Sequence, residues 1–236
     1  MTTGHHHDHH DHDHHHQAHE HGHGYGNEHD QGLSAMLRYA KHARSMWTSE
    51  INEAVAARLN VQPEDRVADI GAGVGAGVVV AAPLAKHVYA VEPTPYMRRL
   101  LRARMRLTRL RATVVDGAAE DTGIAPDSID VVMAVNTMHH WTDMATAAHE
   151  LKRILRPGGR VLLVDEDFEN PDHPEFEKWS EVGSGEDGHS HQFHTVDVGH
   201  VAGLLSDAGL VVTTAASEML AGRPSFVVAA TASPGG

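Results

Sequence analysis

The chain of 236 residues has no cysteine, few aromatic residues and no long hydrophobic run. Without cysteine it can form neither a disulfide framework nor a thiolate metal site. A membrane-spanning helix needs about 18 or more consecutive apolar residues, so we expect no transmembrane segment. The apolar stretch of a secretory signal is also missing from the first residues, and the expected location is therefore the cytoplasm.

Basic residues are also in deficit, with 19 Lys and Arg against 32 Asp and Glu and a formal net charge of -13. This balance argues against a nucleic-acid partner, because broad binding to a phosphate backbone needs positive charge. One arginine cluster stands out, and we interpret it as the solvated face of a helix, with a binding patch as the alternative. Its members are Arg98, Arg99, Arg102, Arg104, Arg106, Arg109 and Arg111.

Residues 1–32 differ in composition from the rest of the chain. They hold 13 of the 23 histidines and six acidic residues, but no Lys or Arg. With so little apolar surface, this segment is predicted to be a disordered tail, and the folded domain is predicted to span residues 33–236. Mixed imidazoles and carboxylates suit zinc, nickel or copper, so transition-metal ions are expected partners of the tail. An expression tag is the alternative origin, although tags are usually uninterrupted histidine runs.

From Leu33 onward, helical and strand patterns alternate, which is typical of an α/β fold with a mainly parallel sheet and helices on both faces. The predicted strands are residues 66–70, 87–92, 112–116, 129–136, 160–167, 211–217 and 225–231. The predicted helices are 33–59 in one or two pieces, one after residue 75, and 95–105, 142–155 and 198–208. An irregular stretch to about Thr195 separates the fifth strand from the last of these helices.

The stretch VADIGAGVGAG, residues 67–77, follows the first predicted strand. Gly71, Gly73 and Ala76 fit the pattern G-x-G-x-x-G/A, in which missing side chains let the backbone approach a ligand. Glu92 ends the second predicted strand about 20 residues later, where a carboxylate accepts hydrogen bonds from both ribose hydroxyls. Together these features predict a nucleoside cofactor at the carboxyl ends of the strands.

Asp69 separates the candidate cofactors. A pyrophosphate on the following helix would be repelled by this carboxylate, whereas the cationic amino acid part of S-adenosylmethionine would be attracted to it. In the alternative interpretation, Asp69 is a buried cap for the amides of the loop, which is compatible with either cofactor.

At this point the sequence resembles the class I S-adenosylmethionine-dependent methyltransferases, in the group of UbiE-like and type 11 enzymes. The resemblance covers residues 66–231 and rests on VADIGAGVG, VYAVEP, DGAAED, VVMAVNTMHHW and LKRILRPGGRVLLVDE in this order. It implies a Rossmann-like sheet of seven strands whose last strand is antiparallel, with RPGG as the turn before strand five.

The same resemblance implies roles for individual residues in binding S-adenosylmethionine. Asp69, Gly71 and Gly73 would line the methionine part, and Glu92 would hold the ribose. Ala119, with Glu120 or Asp116 alongside, would meet the adenine, and Asn136 would face the methyl donor at the end of strand four.

His139 and His140 follow the fourth predicted strand and are the candidate catalytic residues. A neutral imidazole is a suitable general base near pH 7, so these residues favour a hydroxyl group on a small molecule as the methyl acceptor. Carbon and nitrogen acceptors remain alternatives. NTMHHW differs from the N-P-P-aromatic signature of methyltransferases that act on the amino groups of DNA bases or glutamine, which disfavours a nucleobase amine.

A divalent cation is a further expectation, because some oxygen methyltransferases use one to acidify a hydroxyl. Carboxylates at the end of strand five and three later histidines offer ligands of the right type. This candidate metal set is Asp165, Glu166, Asp167, His189, His191 and His194. A metal-handling protein with a cofactor-binding but inactive domain is the rival from another class. A homodimer is one assembly compatible with the sequence.

Overall fold

A computed structural model of the protein describes residue 1, residues 50–177 and residues 196–235. The predicted tail and most of the first predicted helix lie outside the described residues, as do His189, His191 and His194. In chain order, the elements are α1 (Glu50–Leu59), β1 (Arg66–Ile70), α2 (Ala76–Ala81), β2 (His87–Val91), α3 (Pro95–Thr108), β3 (Ala112–Val115), β4 (Ile129–Val135), a short 3-10 helix (Met138–His140), α4 (Met144–Ile154), β5 (Leu155–Glu166), α5 (Val198–Asp207), β6 (Leu210–Leu220) and β7 (Arg223–Ala232).

The seven strands form one sheet in the order β3-β2-β1-β4-β5-β7-β6. Neighbouring strands from β3 to β5 are parallel, and β7 runs antiparallel to both β5 and β6. The predicted fold class, with an antiparallel last strand, is confirmed. The winding reverses between β1 and β4, and ligands bind at such a switch point, beyond the carboxyl ends of the strands.

The central strands are apolar on both faces because helices cover both sides of the sheet. On one face α1, α2 and α3 pack through Ile51, Val78 and Leu101. On the other face α4 and α5 pack through Leu151 and Leu205. No helix among the described residues combines the length and the apolar composition needed to cross a membrane.

The RPGG segment is placed differently from the prediction. Residues 156–159 lie within β5, between the pairs Leu155–Ile129 and Arg160–Val131, where the register with β4 shifts. The expected turn before strand five is therefore an irregularity inside the strand. Gly158 adopts a positive φ of 76°, a backbone conformation that glycine tolerates and that lets the strand resume pairing after the shift.

Candidate active site

The glycine loop joins β1 to α2 and has left-handed backbone at three positions. The φ angles of Gly71, Gly73 and Gly75 are 68°, 54° and 88°. A Cβ atom at Gly71 would overlap the Thr137 side chain, whereas one at Gly73 would meet no atom of the described residues within 4 Å. Gly71 therefore lets the loop approach the end of β4, and Gly73 presents bare backbone to open space. That open face is the kind of cradle that a bound cofactor requires.

Asp69 is buried behind this loop, and its carboxylate accepts the backbone N–H of Val78 in α2. A Cβ atom at Gly77 would lie 2.6 Å from Asp69 Oδ2 and 3.0 Å from Asn52 Oδ1, so both oxygens face the start of α2. Oδ2 has no hydrogen-bond partner among the described residues. Burial, followed by the negative charge of Glu92, raises the pKa of Asp69 to about 7, although the Val78 hydrogen bond opposes this shift. Asp69 thus faces the first turn of α2 and keeps one oxygen without a hydrogen-bond partner among the described residues.

Glu92 follows β2 and is buried. Its Oε2 accepts the backbone N–H of Gly73 at 2.9 Å, and its Oε1 accepts that of Thr94 at 2.8 Å. The main chain of Glu92 is also fixed, because its N–H donates to the Val115 carbonyl at 3.2 Å. The carboxylate therefore lies against the bare backbone of the glycine loop, where the sequence predicted a ribose contact.

The three residues predicted near the adenine differ in their surroundings. Ala119 is buried, while Asp116 follows β3 and has a largely exposed side chain. Glu120 accepts the backbone N–H groups of Thr142 and Asp143 at 2.7 and 3.1 Å. Glu120 therefore ties the segment after β3 to the start of α4, a structural role that the sequence did not indicate.

Two arginines of α3 correct the interpretation of the cluster as a solvated face. Arg98 and Arg104 are buried, whereas the other five arginines of the cluster are exposed. Arg104 donates to the Val74 carbonyl in the glycine loop at 3.0 Å, and Arg98 contacts the segments after β2 and β3. The signal that could have identified them is their position: both share the buried side of the helix with Met97, Leu101 and Met105.

At the end of β4, His139 and Asp165 form a close pair. His139 Nδ1 lies 2.9 Å from Asp165 Oδ2, and the His139 side chain is only 11% exposed. Asp165 also accepts the backbone N–H groups of Thr137, Met138 and His139, at 2.9, 3.3 and 3.1 Å. Asp165 therefore holds the 3-10 helix and orients its first histidine.

The two candidate histidines are not equivalent. Their rings are in contact, with centroids 4.0 Å apart, but His140 is exposed while His139 is largely buried against Asp165. The contact of His139 Nδ1 with Asp165 fixes the orientation of this ring. The structure therefore distinguishes two residues that the sequence left equal.

Asn136, predicted to face the methyl donor, uses its side chain on Glu166. Asn136 Nδ2 donates to Glu166 Oε1 at 2.6 Å, and Asn136 Oδ1 accepts the Glu166 N–H at 2.7 Å. Glu166 Oε2 is 2.9 Å from Nε2 of buried His173 and accepts from Arg223 at 2.7 Å. Sequence reasoning missed His173 and Arg223, since neither lies in a motif; Glu166 is 7 residues from His173 and 57 from Arg223 in the chain.

The predicted metal set is only partly described. Asp165 and Glu166 are engaged by the protein groups above, and the Asp167 N–H donates to the Pro224 carbonyl at 2.8 Å. Within residues 50–177 and 196–235, no group of three or more His, Asp and Glu side chains is arranged to hold a metal ion. The three histidines of the set lie outside these ranges, so the complete set stays a prediction.

Comparisons with known proteins agree with this architecture. Residues 68–163 match the family described as a methyltransferase domain. An uncharacterized methyltransferase of Mycobacterium tuberculosis is 38% identical over 99 residues, which cover 42% of this chain and 39% of that protein. The uncharacterized protein YafE of Escherichia coli is 29% identical over 150 residues, or 64% of this chain and 67% of YafE. A crystal structure of a SAM-dependent methyltransferase from Aquifex aeolicus superposes with a TM-score of 0.64 at 17% identity, covering 85% of this chain and 98% of that one.

The strand order is Rossmann-like, and residues 68–163 are similar to methyltransferase domains, so these findings support the resemblance to class I S-adenosylmethionine-dependent methyltransferases that the motifs predicted. The match falls on β1 to β5, the part that carries the predicted donor site. The chain spans about two fifths of the length of the mycobacterial relative, 39%.

Proposed function

We propose that the protein transfers a methyl group from S-adenosylmethionine to a hydroxyl oxygen of a small molecule. The observation that supports this is the His139–Asp165 pair, which lies at the same sheet edge as the glycine loop and Glu92. S-adenosylmethionine supplies a sulfonium methyl group that a nucleophile attacks directly. The protein must align the two reactants, exclude water and remove the proton of the hydroxyl.

The donor site fits this cofactor on three points of its structure. Gly73 presents bare backbone to open space, and Glu92 lies hydrogen-bonded to that same backbone. Asp69 Oδ2, a buried carboxylate oxygen with no partner among the described residues, adds a negative potential behind the loop that grows as the pH rises through about 7. A cofactor that carries positive charge and no phosphate suits this potential better than a dinucleotide. We propose that Asp69, Gly71, Gly73 and Glu92 hold the methionine and ribose parts.

His139 is suited to act as the general base because Asp165 determines which ring nitrogen carries the proton. A carboxylate at Nδ1 keeps the hydrogen on that nitrogen of a neutral imidazole, so the lone pair is on Nε2. In the reaction, Nε2 would take the hydroxyl proton, and Asp165 would stabilise the resulting imidazolium, as a buried aspartate does in a catalytic triad. His140 is exposed, whereas the His139 side chain is only 11% exposed beside Asp165.

The test measures turnover on a panel of hydroxylated small molecules, with the release of S-adenosylhomocysteine as the readout. His139→Ala should lower the rate by about a hundredfold or more, the usual contribution of a general base, while the affinity for S-adenosylmethionine stays unchanged. His140→Ala should have a smaller effect. The matched control is His149→Ala, which removes an exposed histidine from α4.

The activity of His139→Ala distinguishes a histidine base from a metal-assisted route. Full activity in His139→Ala would contradict the proposal. If that activity were sensitive to chelators and restored by magnesium or manganese, it would instead favour a cation held by the predicted metal set around Asp165, Glu166 and Asp167.

We also propose that residues 1–32 bind transition-metal ions independently of methyl transfer. The support is their composition, since imidazole and carboxylate groups are common ligands for nickel, zinc and copper. Removing residues 1–31 should sharply reduce nickel binding in equilibrium dialysis, with little change in melting temperature or donor affinity. A large loss of melting temperature would contradict the proposed independence.

A further inference from the structure

We propose that Arg98 is a positioning residue in the binding of S-adenosylmethionine, because it joins Glu92 to Asp116. This proposal rests on the donor site of the proposed function. Arg98 lies in the first turns of α3 and is only 7% exposed. It is not expected to touch the donor itself. Its proposed role is to hold the two segments that do.

The guanidinium of Arg98 spans the ends of two neighbouring strands. Nη1 donates to the Glu92 carbonyl at 2.9 Å and also to the Pro93 carbonyl, both just after β2. Nη2 donates to Asp116 Oδ2 at 2.8 Å, just after β3. One side chain thus fixes the residue predicted to bind the ribose and a residue predicted to lie near the adenine.

Among the contacts of Arg98, the ion pair that fixes the Asp116 side chain is not needed for folding alone. The Asp116 side chain is 70% exposed, so without a partner it would move among several rotamers in water. Arg98 holds it in one orientation through a charge-assisted hydrogen bond. The ion pair therefore presents a fixed carboxylate at the carboxyl edge of β3, beside the Glu92 segment.

Arg98 also occupies a position where an apolar residue would satisfy packing. Its neighbours Met97 and Leu101 are buried, and Arg98 Nε has no hydrogen-bond partner among the described residues. Burying a cation is unfavourable unless its partners compensate, and replacing a buried ion pair by apolar residues is often neutral for stability. The contacts of Arg98 with Glu92, Pro93 and Asp116 point to a role in the site beyond packing.

Isothermal titration calorimetry with S-adenosylmethionine tests the role on the full-length protein. Arg98→Met should raise the dissociation constant by about tenfold or more, the usual loss for hydrogen bonds to a charged group, and Arg98→Lys should recover part of it. Asp116→Asn should raise it by about threefold, the smaller effect expected when only the exposed partner is neutralised. Arg99→Met and Arg102→Met, two exposed arginines of the same helix, should bind like the wild type.

A double-mutant cycle separates positioning from general packing. If Arg98 acts through Asp116, the double variant Arg98→Met/Asp116→Asn should bind no more weakly than Arg98→Met alone. Strictly additive losses, or a folded Arg98→Met protein with wild-type affinity, would overturn the inference. If Arg98→Met does not fold, Asp116→Asn and Arg98→Lys decide: wild-type affinity in both would overturn it. Failure of the wild type to bind S-adenosylmethionine would instead refute the proposed function.

Discussion

The proposed donor half of the site, at the ends of β1 to β3, and the proposed acceptor half, at the ends of β4 and β5, differ in the balance of their contacts. In the donor half most polar side chains bind main-chain groups: Glu92 accepts the N–H of Gly73, and Arg104 donates to the Val74 carbonyl, although Arg98 also pairs with the Asp116 side chain. In the acceptor half Asp165 accepts backbone N–H groups, but Glu166 binds the side chains of His173 and Arg223. The donor half therefore depends more on backbone conformation, and the acceptor half more on the identity of side chains.

This difference explains which half is recognisable in the sequence. A loop with left-handed backbone at several positions needs glycine there, so the requirement is visible as a motif. A side-chain cluster such as Glu166, His173 and Arg223 needs only proximity in space, and several residue combinations can satisfy it. A donor site can therefore be widely shared while the acceptor site differs among proteins with the same fold.

The largest expected effect tests the dependence of the donor half on backbone conformation. Gly71→Ala should destabilise the protein by about 2–5 kcal/mol, because a left-handed alanine is strained and its Cβ would overlap Thr137. Gly73→Ala is the matched control: it has similar backbone but open space, so about 1–2 kcal/mol is expected. Urea unfolding of both variants measures the difference. Equal losses would show that the contact with Thr137 does not matter.

A second prediction uses the pH dependence of stability. Burial raises the pKa of Asp69 from 3.8 to about 7, so the folded state holds this proton more tightly than the unfolded state. The contribution of the protonated Asp69 carboxyl to the stability of the folded state is fully present below about pH 4 and is lost as the pH rises through 7. Between pH 4 and pH 8, the free energy of unfolding of Asp69→Asn should therefore rise by roughly 2–4 kcal/mol relative to that of the wild type.

Unfolding free energies at several pH values provide the measurement for Asp69. Asp207→Asn, which changes an exposed carboxylate at the end of α5, is the control and should follow the wild type. If the Asp69→Asn and wild-type curves were parallel, Asp69 would be ionised throughout this range.

The third prediction, which has the smallest expected effect, compares one carboxylate from each half. Glu92→Ala should weaken S-adenosylmethionine binding by about 1.5–3 kcal/mol, the range for hydrogen bonds to a charged group. Glu166→Gln should instead reduce the unfolding free energy by about 1.5–3 kcal/mol, since His173 and Arg223 lose their charged partner, with little change in donor affinity. Calorimetry and urea unfolding on both variants give the four values. A Glu166→Gln protein that lost donor affinity would remove the distinction between the halves.

The alternation of apolar segments predicted the sheet and most of its strands, because strands covered on both faces must be apolar throughout. The pattern of arginines was misleading for Arg98 and Arg104, since charge in a sequence is usually read as exposure. Their burial depends on carbonyl groups and a carboxylate from other segments, which no local pattern reveals. His173 was missed although its partner Glu166 is only 7 residues away, because His173 lies in an irregular segment outside any motif. RPGG was misplaced because a glycine-rich segment can interrupt a strand as well as precede it.

The antiparallel strand β7 also affects the order in which the chain can fold during synthesis. It lies between β5 and β6, although both of those strands leave the ribosome before it does. One edge of β5 therefore has no strand to pair with until residues 223–232 have been made, and β6 cannot join the sheet without them. An unpaired strand edge is a template for association with other chains. The nascent chain therefore exposes this edge of β5 until the residues of β7 emerge, while the strands β1 to β4 can already pair.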